Sequence, residues 1–171
     1  MARERESKDM AAMRGTTLLF LSAVLLAAPA PARAQALLTV DGDVAAPLTL
    51  DSAALAALPR ETVEIADKDG RRQRYEGIDA ALALKKAGAP IREDMKSTDA
   101  ARFVHAQGRD GYVAVFATGE FDKGRFLIVD RIDGEPLFTR SGPLQLVAAS
   151  DDRRTRWVKQ LFLLQVRASK P

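Results

Sequence analysis

Residues 151 to 159 read DDRRTRWVK, a basic run around the only tryptophan in the chain. Guanidinium groups hold phosphate or sulfate in a bidentate fork, and an indole beside them stacks on a flat heterocycle or on arginine itself. Arg153, Arg154, Arg156 and Lys159 around Trp157 therefore have the residue types of an anion site. Read as a strand, Arg154, Arg156 and Val158 share one face, and Arg153, Thr155, Trp157 and Lys159 share the other, so the four charges do not all converge. Asp151 and Asp152 stand close enough to neutralise two of them, and a solvated, salt-bridged loop would use the same residues.

Other chemistry is scarce. The chain has no cysteine and one histidine, so a transition-metal site would have to be built from carboxylates, an uncommon donor set. A serine hydrolase would need His105 as its base, but His105 sits in the alternating run ARFVHAQ, where it shares a strand face with Phe103 and reads as a packed or edge residue. Ser141, in RSGPL, lies in a turn without a nucleophile elbow. Neither GxGxxG after a strand nor GxxxxGK[ST] occurs. Asp110-Gly111-Tyr112 could set an acid and a phenol at a pocket mouth, yet turn chemistry alone explains the three residues.

The elements that must position the basic run follow from local signals. ALLTVDGDV and PLTL read as short strands, and Asp51 as the N-cap of a helix over 52–58 that Pro59 stops. ETVEIAD and RRQRYEG flank Asp69-Gly70 as a hairpin, and IDAALALKKAGAP reads as a helix closed by Gly88 and Pro90. Two further hairpins pair ARFVHAQ with YVAVFAT and GRFLIVDRI with PLFTR, the second turning at Asp133-Gly134. LQLVAA and WVKQLFLLQV read as core strands, the last apolar enough to be buried on both faces. Eight or nine strands with two or three short helices, joined by hairpins, predict an α+β domain with a largely β, mixed or barrel-like sheet.

Composition bounds the setting. Arg3, Arg5, Lys8 and Arg14 precede an apolar run over 16–28, and Ala32-Arg33-Ala34 has the small-x-small form of a signal-peptidase site. The run falls short of the roughly 20 apolar residues that span a bilayer, so residues 1–34 read as a secretion signal, with Met1 or Met13 as its start. Cleavage leaves a single domain over 35–171, periplasmic or secreted and with no membrane attachment. The chain carries 26 basic and 23 acidic residues, and loss of the leader leaves 21 against 20. Its basic pI of 9.4 thus belongs mainly to the leader and gives no support to nucleic-acid binding.

The order YEGIDAALALKKAG, DGYVAVFATGEFD and DGEPLFTRSGPLQLVAASDDRRTRWVKQLFLLQV resembles the molybdopterin-binding domain of the sulfite-oxidase fold in a short exported form, over Leu38 to Val166. The resemblance implies a groove that in larger relatives holds a molybdenum-pterin cofactor. It places Arg156 where a basic residue holds the pterin phosphate and Trp157 as the matching aromatic; strand spacing adds Arg154 on the face of Arg156, and Arg140 arrives from the turn before Gly142-Pro143. The relatives ligate molybdenum through a cysteine thiolate near the position of VEIADKDG, and this chain has none. Asp67 or Asp69 cannot supply a soft thiolate. The expectations are therefore an oxidoreductase-like domain that binds a pterin or another small phosphorylated anion without bound molybdenum, or a cofactor-free periplasmic module that meets a protein partner, such as an accessory component of a molybdenum oxidoreductase.

Overall fold

A computed structural model describes residues 35–123, 126–151 and 154–169. The expected leader and its cleavage site at residue 34 lie outside them, as do Asp152 and Arg153. The strands are β1 (Leu38–Gly42), β2 (Leu48–Leu50), β3 (Arg60–Ala66), β4 (Arg72–Asp79), β5 (Arg102–Gly108), β6 (Val113–Ala117), β7 (Phe126–Ile132), β8 (Glu135–Pro136), β9 (Gln145–Ala148) and β10 (Leu161–Ala168). Three short helices join them: α1 (Ser52–Ala56), α2 (Ala80–Lys86) and α3 (Glu120–Lys123).

The strands form two open five-stranded sheets, so the α+β class holds while barrel closure does not. The first runs β2-β1-β10-β5-β6, mixed because β1 and β10 pair in parallel. The second runs β3-β4-β7-β8 with β9 also on β7, and is antiparallel throughout. Val40, Val104, Phe116 and Leu164 of the first sheet enter one core with Tyr75, Ile78, Ile128 and Leu146 of the second.

Local chemistry sets most boundaries. Asp51 caps α1 by accepting from Ala54 N at 2.8 Å, and Asp79 caps α2 by accepting from Ala81 N at 2.9 Å. Gly88 takes φ +78° after α2, and Asp133 and Gly134 both take positive φ in the tight turn between β7 and β8. Two strand readings change. PLFTR keeps only Pro136 in a strand, Glu135–Pro136; Leu137 N–H still donates to the Asp130 carbonyl at 3.1 Å, and the chain then turns at Phe138, whose carbonyl accepts from Ser141 and Gly142 N–H. WVKQLFLLQV becomes strand only from Leu161, and its Phe162 and Leu163 are half-buried. The strands buried on both faces are instead the Phe126–Val129 stretch of β7 and β9, where α2 packs on β4 and β7.

Candidate functional site

The basic run does not form a strand. Arg154–Arg156 make a single 3-10 turn, closed by Trp157 N–H donating to the Arg154 carbonyl at 3.2 Å. Val158 then exchanges both backbone hydrogen bonds with Leu146 of β9, at 2.8 and 3.0 Å. A 3-10 turn advances about 120° per residue, so Arg154 and Arg156 leave the backbone in different directions. The shared strand face expected for them is not present.

Trp157 is buried and fixed at both ends of its ring. Its indole N–H donates to the Ala148 carbonyl at 3.1 Å, and its ring packs edge-to-face with Tyr75, the centroids 5.4 Å apart. The Arg154 guanidinium lies 4.6 Å from the indole centroid, and one of its N–H groups donates to the Ala66 carbonyl at 2.8 Å. Arginine, indole and phenol thus lie in contact one after another, the cation held over the π-face that favours it.

These groups wall a cavity of about 290 Å³, shared with Gln145, Ser141 and Lys159. The Tyr75 hydroxyl donates to Gln73 Oε1 at 3.0 Å. Burial pushes its pKa up, opposed in part by the Arg154 guanidinium, so the group stays a neutral phenol at ordinary pH. Gln145 is 4 % exposed and lines the cavity. Arg154 and Lys159 supply positive charge, with Asp67 and Asp133 near enough to offset part of the field.

Arg156 is engaged elsewhere. Its Nε and Nη2 donate to the two oxygens of Asp151, both at 2.8 Å, and its Nη1 donates to Glu120 Oε2 at 2.7 Å. Its guanidinium also lies 5.0 Å from the Phe116 ring centroid. Two carboxylates therefore already occupy the fork that the sequence assigned to a phosphate, and Arg156 ties α3 and the 150s loop to β6. Arg140 is exposed; its carbonyl accepts from Gln160 Nε2 at 3.3 Å. Of the four expected residues the fold brings together Arg154 and Trp157 alone.

Tyr75 and Gln145 were not singled out by sequence reasoning. The signal for Gln145 was present: one amide inside the fully buried strand QLVA. Remaining candidates resolve as structure. Asp67 Oδ1 accepts from the N–H groups of Asp69 and Arg71, and Asp110 Oδ1 accepts from Tyr112 N–H, both as turn contacts. His105 sits on β5, with its Nδ1 buried and unpartnered, and Ser141 lines the cavity.

No protein-family model matches the chain, and no curated protein matches it. Among solved structures it is similar to the sulfane dehydrogenase SoxCD of Paracoccus pantotrophus, with a TM-score of 0.62 and 19 % identity. The alignment covers 78 % of this chain and 39 % of that one. The two share a fold. The likeness supports a sulfite-oxidase-like architecture for this chain, which spans well under half the length of the larger protein. Molybdenum does not fit the residues at the cavity, since no thiolate exists and no cluster of three acidic or histidine side chains occurs among the described residues.

Proposed function

We propose that this chain is an exported binding domain of sulfite-oxidase-like fold that takes a small anionic ring compound, a phosphorylated pterin by resemblance, into the cavity between Tyr75, Trp157 and Arg154. The observation that carries this reading is the stack of Arg154 on Trp157 at a cavity that Tyr75, Gln145 and Lys159 also line. Arg154 retains N–H donors beyond the one given to Ala66, and Lys159 adds a second cation at the rim. The cavity, about 290 Å³ and open to solvent, is at the lower end of the roughly 300–1,000 Å³ of small-molecule pockets and admits a ring system with its phosphate reaching the rim. Ligand recognition here needs no metal: charge and stacking come from Arg154, ring contact from Trp157 and Tyr75, and hydrogen bonds from Gln145 and Ser141. The domain resides in the periplasm or outside the cell once residues 1–34 are removed.

The test is calorimetric binding of a phosphorylated pterin, and of sulfate as its bare anion, to wild type, Arg154→Ala, Arg156→Ala and Arg140→Ala. Loss of a charged hydrogen-bond donor costs about 1.5–3 kcal/mol, so Arg154→Ala weakens binding by one to two orders of magnitude. Arg140→Ala leaves it nearly unchanged, and Arg156→Ala affects stability before affinity. Equal affinity in wild type and Arg154→Ala overturns the assignment. A second reading, a cofactor-free interaction module or accessory component of a molybdenum oxidoreductase, draws on a different observation: the exposed apolar side chains gathered on β6.

A further inference from the structure

Strand β6 ends the first sheet, and its open edge differs from those of β2, β3 and β8, while the outer edge of β9 is met by Val158 at Leu146. Edge strands present unpaired backbone donors and acceptors, which proteins usually blunt with charge, proline or brevity. β3 carries Arg60, Glu61 and Glu64, β8 is two residues with Glu135 and Pro136, and β2 is three residues long. β6 reads Val-Ala-Val-Phe-Ala, with no charge and no proline. Of the four exposed large apolar side chains among the described residues, Tyr112, Val113 and Val115 lie on this strand and its turn.

The direction of each backbone group follows from its partners. Tyr112 C=O accepts from Gly108 N–H and Thr118 N–H donates to Arg102 C=O, so the even-numbered residues of this stretch turn their backbone groups toward β5. The odd-numbered residues turn theirs outward. Ala117 N–H confirms it by donating to Glu120 Oε1 at 2.8 Å, away from the sheet. Val113 and Val115 therefore hold outward N–H and C=O groups with no partner among the described residues, and their side chains, 36 % and 51 % exposed, lie on the sheet's outer face.

We infer that β6 pairs antiparallel with β6 of a second copy of this chain, about a two-fold axis at Ala114. In that register Val113 and Val115 of the partner copy exchange both backbone hydrogen bonds, and by symmetry Val115 and Val113 of the partner do the same. The exposed valines then meet as direct cross-strand pairs. The register is selected by what bounds the strand. Gly111 N–H is already used within its turn, donating to Gly108 C=O at 3.0 Å. At the other end Glu120 covers Ala117 N–H while its second oxygen holds Arg156, and a two-fold at Ala114 leaves that arrangement intact, whereas one at Val115 would break it. The stretch is its own complement: no like charges oppose each other, every outward donor finds an acceptor, and the ends stop at the same residues in both copies. This pairing is independent of the cavity and of any ligand.

The contact is short, so it belongs to the weak, concentration-dependent class of associations. Sedimentation equilibrium of the mature chain, from about 1 µM to 1 mM, spans that class. The expected result is a monomer–dimer equilibrium in which Val115→Lys raises the dissociation constant at least tenfold while the thermal midpoint stays near wild type, since the side chain is exposed. Val115→Pro removes an outward N–H that the monomer does not use, and abolishes the dimer with the β5 ladder intact. Hydrogen exchange at the Val113 and Val115 amides slows as protein concentration rises. A wild type that stays monomeric to the top of the range, a dimer that survives Val115→Pro, or a dimer that forms without slowing those two amides overturns the inference.

Discussion

Arg154 and Arg156 are two residues apart, yet one stacks on an indole at a cavity and the other is clamped between Asp151 and Glu120. The sequence made a basic run around tryptophan legible as a place where charge and ring coincide. It did not make legible which arginine faces the cavity, because that depends on strand or 3-10 geometry, and the 3-10 turn is imposed by Val158 pairing with Leu146 from another part of the chain. The clamp predicts a stability effect. Asp151 and Glu120 hold the Arg156 guanidinium firmly cationic, through their hydrogen bonds first and their charge second. The Arg156 side chain is 37 % exposed, so solvent screening discounts the interaction, and Arg156→Ala should cost about 1 to 2 kcal/mol in urea unfolding. A cost near zero would mean that the ion pairs are merely surface contacts. At Asp67 the effect is one of pH. The backbone N–H of Arg71 holds its pKa below the ordinary carboxylate value, helped by that of Asp69. A group with a depressed folded pKa stabilises above its unfolded pKa, and that contribution is lost as pH falls through the folded one. The difference in urea midpoint between wild type and Asp67→Asn should therefore shrink as pH is lowered from about 5 to 2, because asparagine accepts the same bonds without titrating.

At the scale of elements, what was legible is what is local. Asp51 as a cap, Gly88 as a helix stop and the Asp-Gly turns each follow from one residue's own conformational range, and each is found. The short β8 and the late start of β10 were not legible, because their apolar residues continue a strand pattern past the point where tertiary pairing ends. Gly77 shows the same limit. Nothing in YEGIDA marks its glycine as more than a strand residue, but β4 and β7 shift register beside it, and a Cβ there would lie 2.1 Å from the Ile128 carbonyl oxygen. Gly134 meets nothing within 4 Å and is constrained only by φ +84°. Gly77→Ala must push two core strands apart and should cost at least the roughly 1–3 kcal/mol of an overpacked core. Gly134→Ala should cost only the roughly 1–2 kcal/mol of a side chain in the left-handed region. Thermal or urea midpoints in the reverse order would show that β4 and β7 yield easily at that point.

For the whole molecule, fold and chemistry separate. Among the described residues ten strands form two open sheets, and 78 % of this chain matches the fold of 39 % of a larger dehydrogenase, at an identity that carries over no site. What the chain withholds is the soft donor: a metal that binds through thiolate needs a deprotonated cysteine sulfur, and no oxygen or single imidazole in this sequence replaces it. His105 is the only nitrogen donor, and it lies on β5 rather than among the residues that line the cavity. Arginine forks can hold a phosphorylated ring without any metal, so the absence of a thiolate and the presence of Arg154 and Trp157 are compatible in one domain. Expressed as the full 171-residue chain in a host that makes molybdenum cofactor, the protein should therefore carry molybdenum far below one atom per chain by elemental analysis. The same preparation, extracted and assayed for pterin fluorescence, distinguishes a ring held without metal from an empty cavity. Near-stoichiometric molybdenum would overturn the reading, because it would require a ligand set that the carboxylates and single histidine of this chain do not offer.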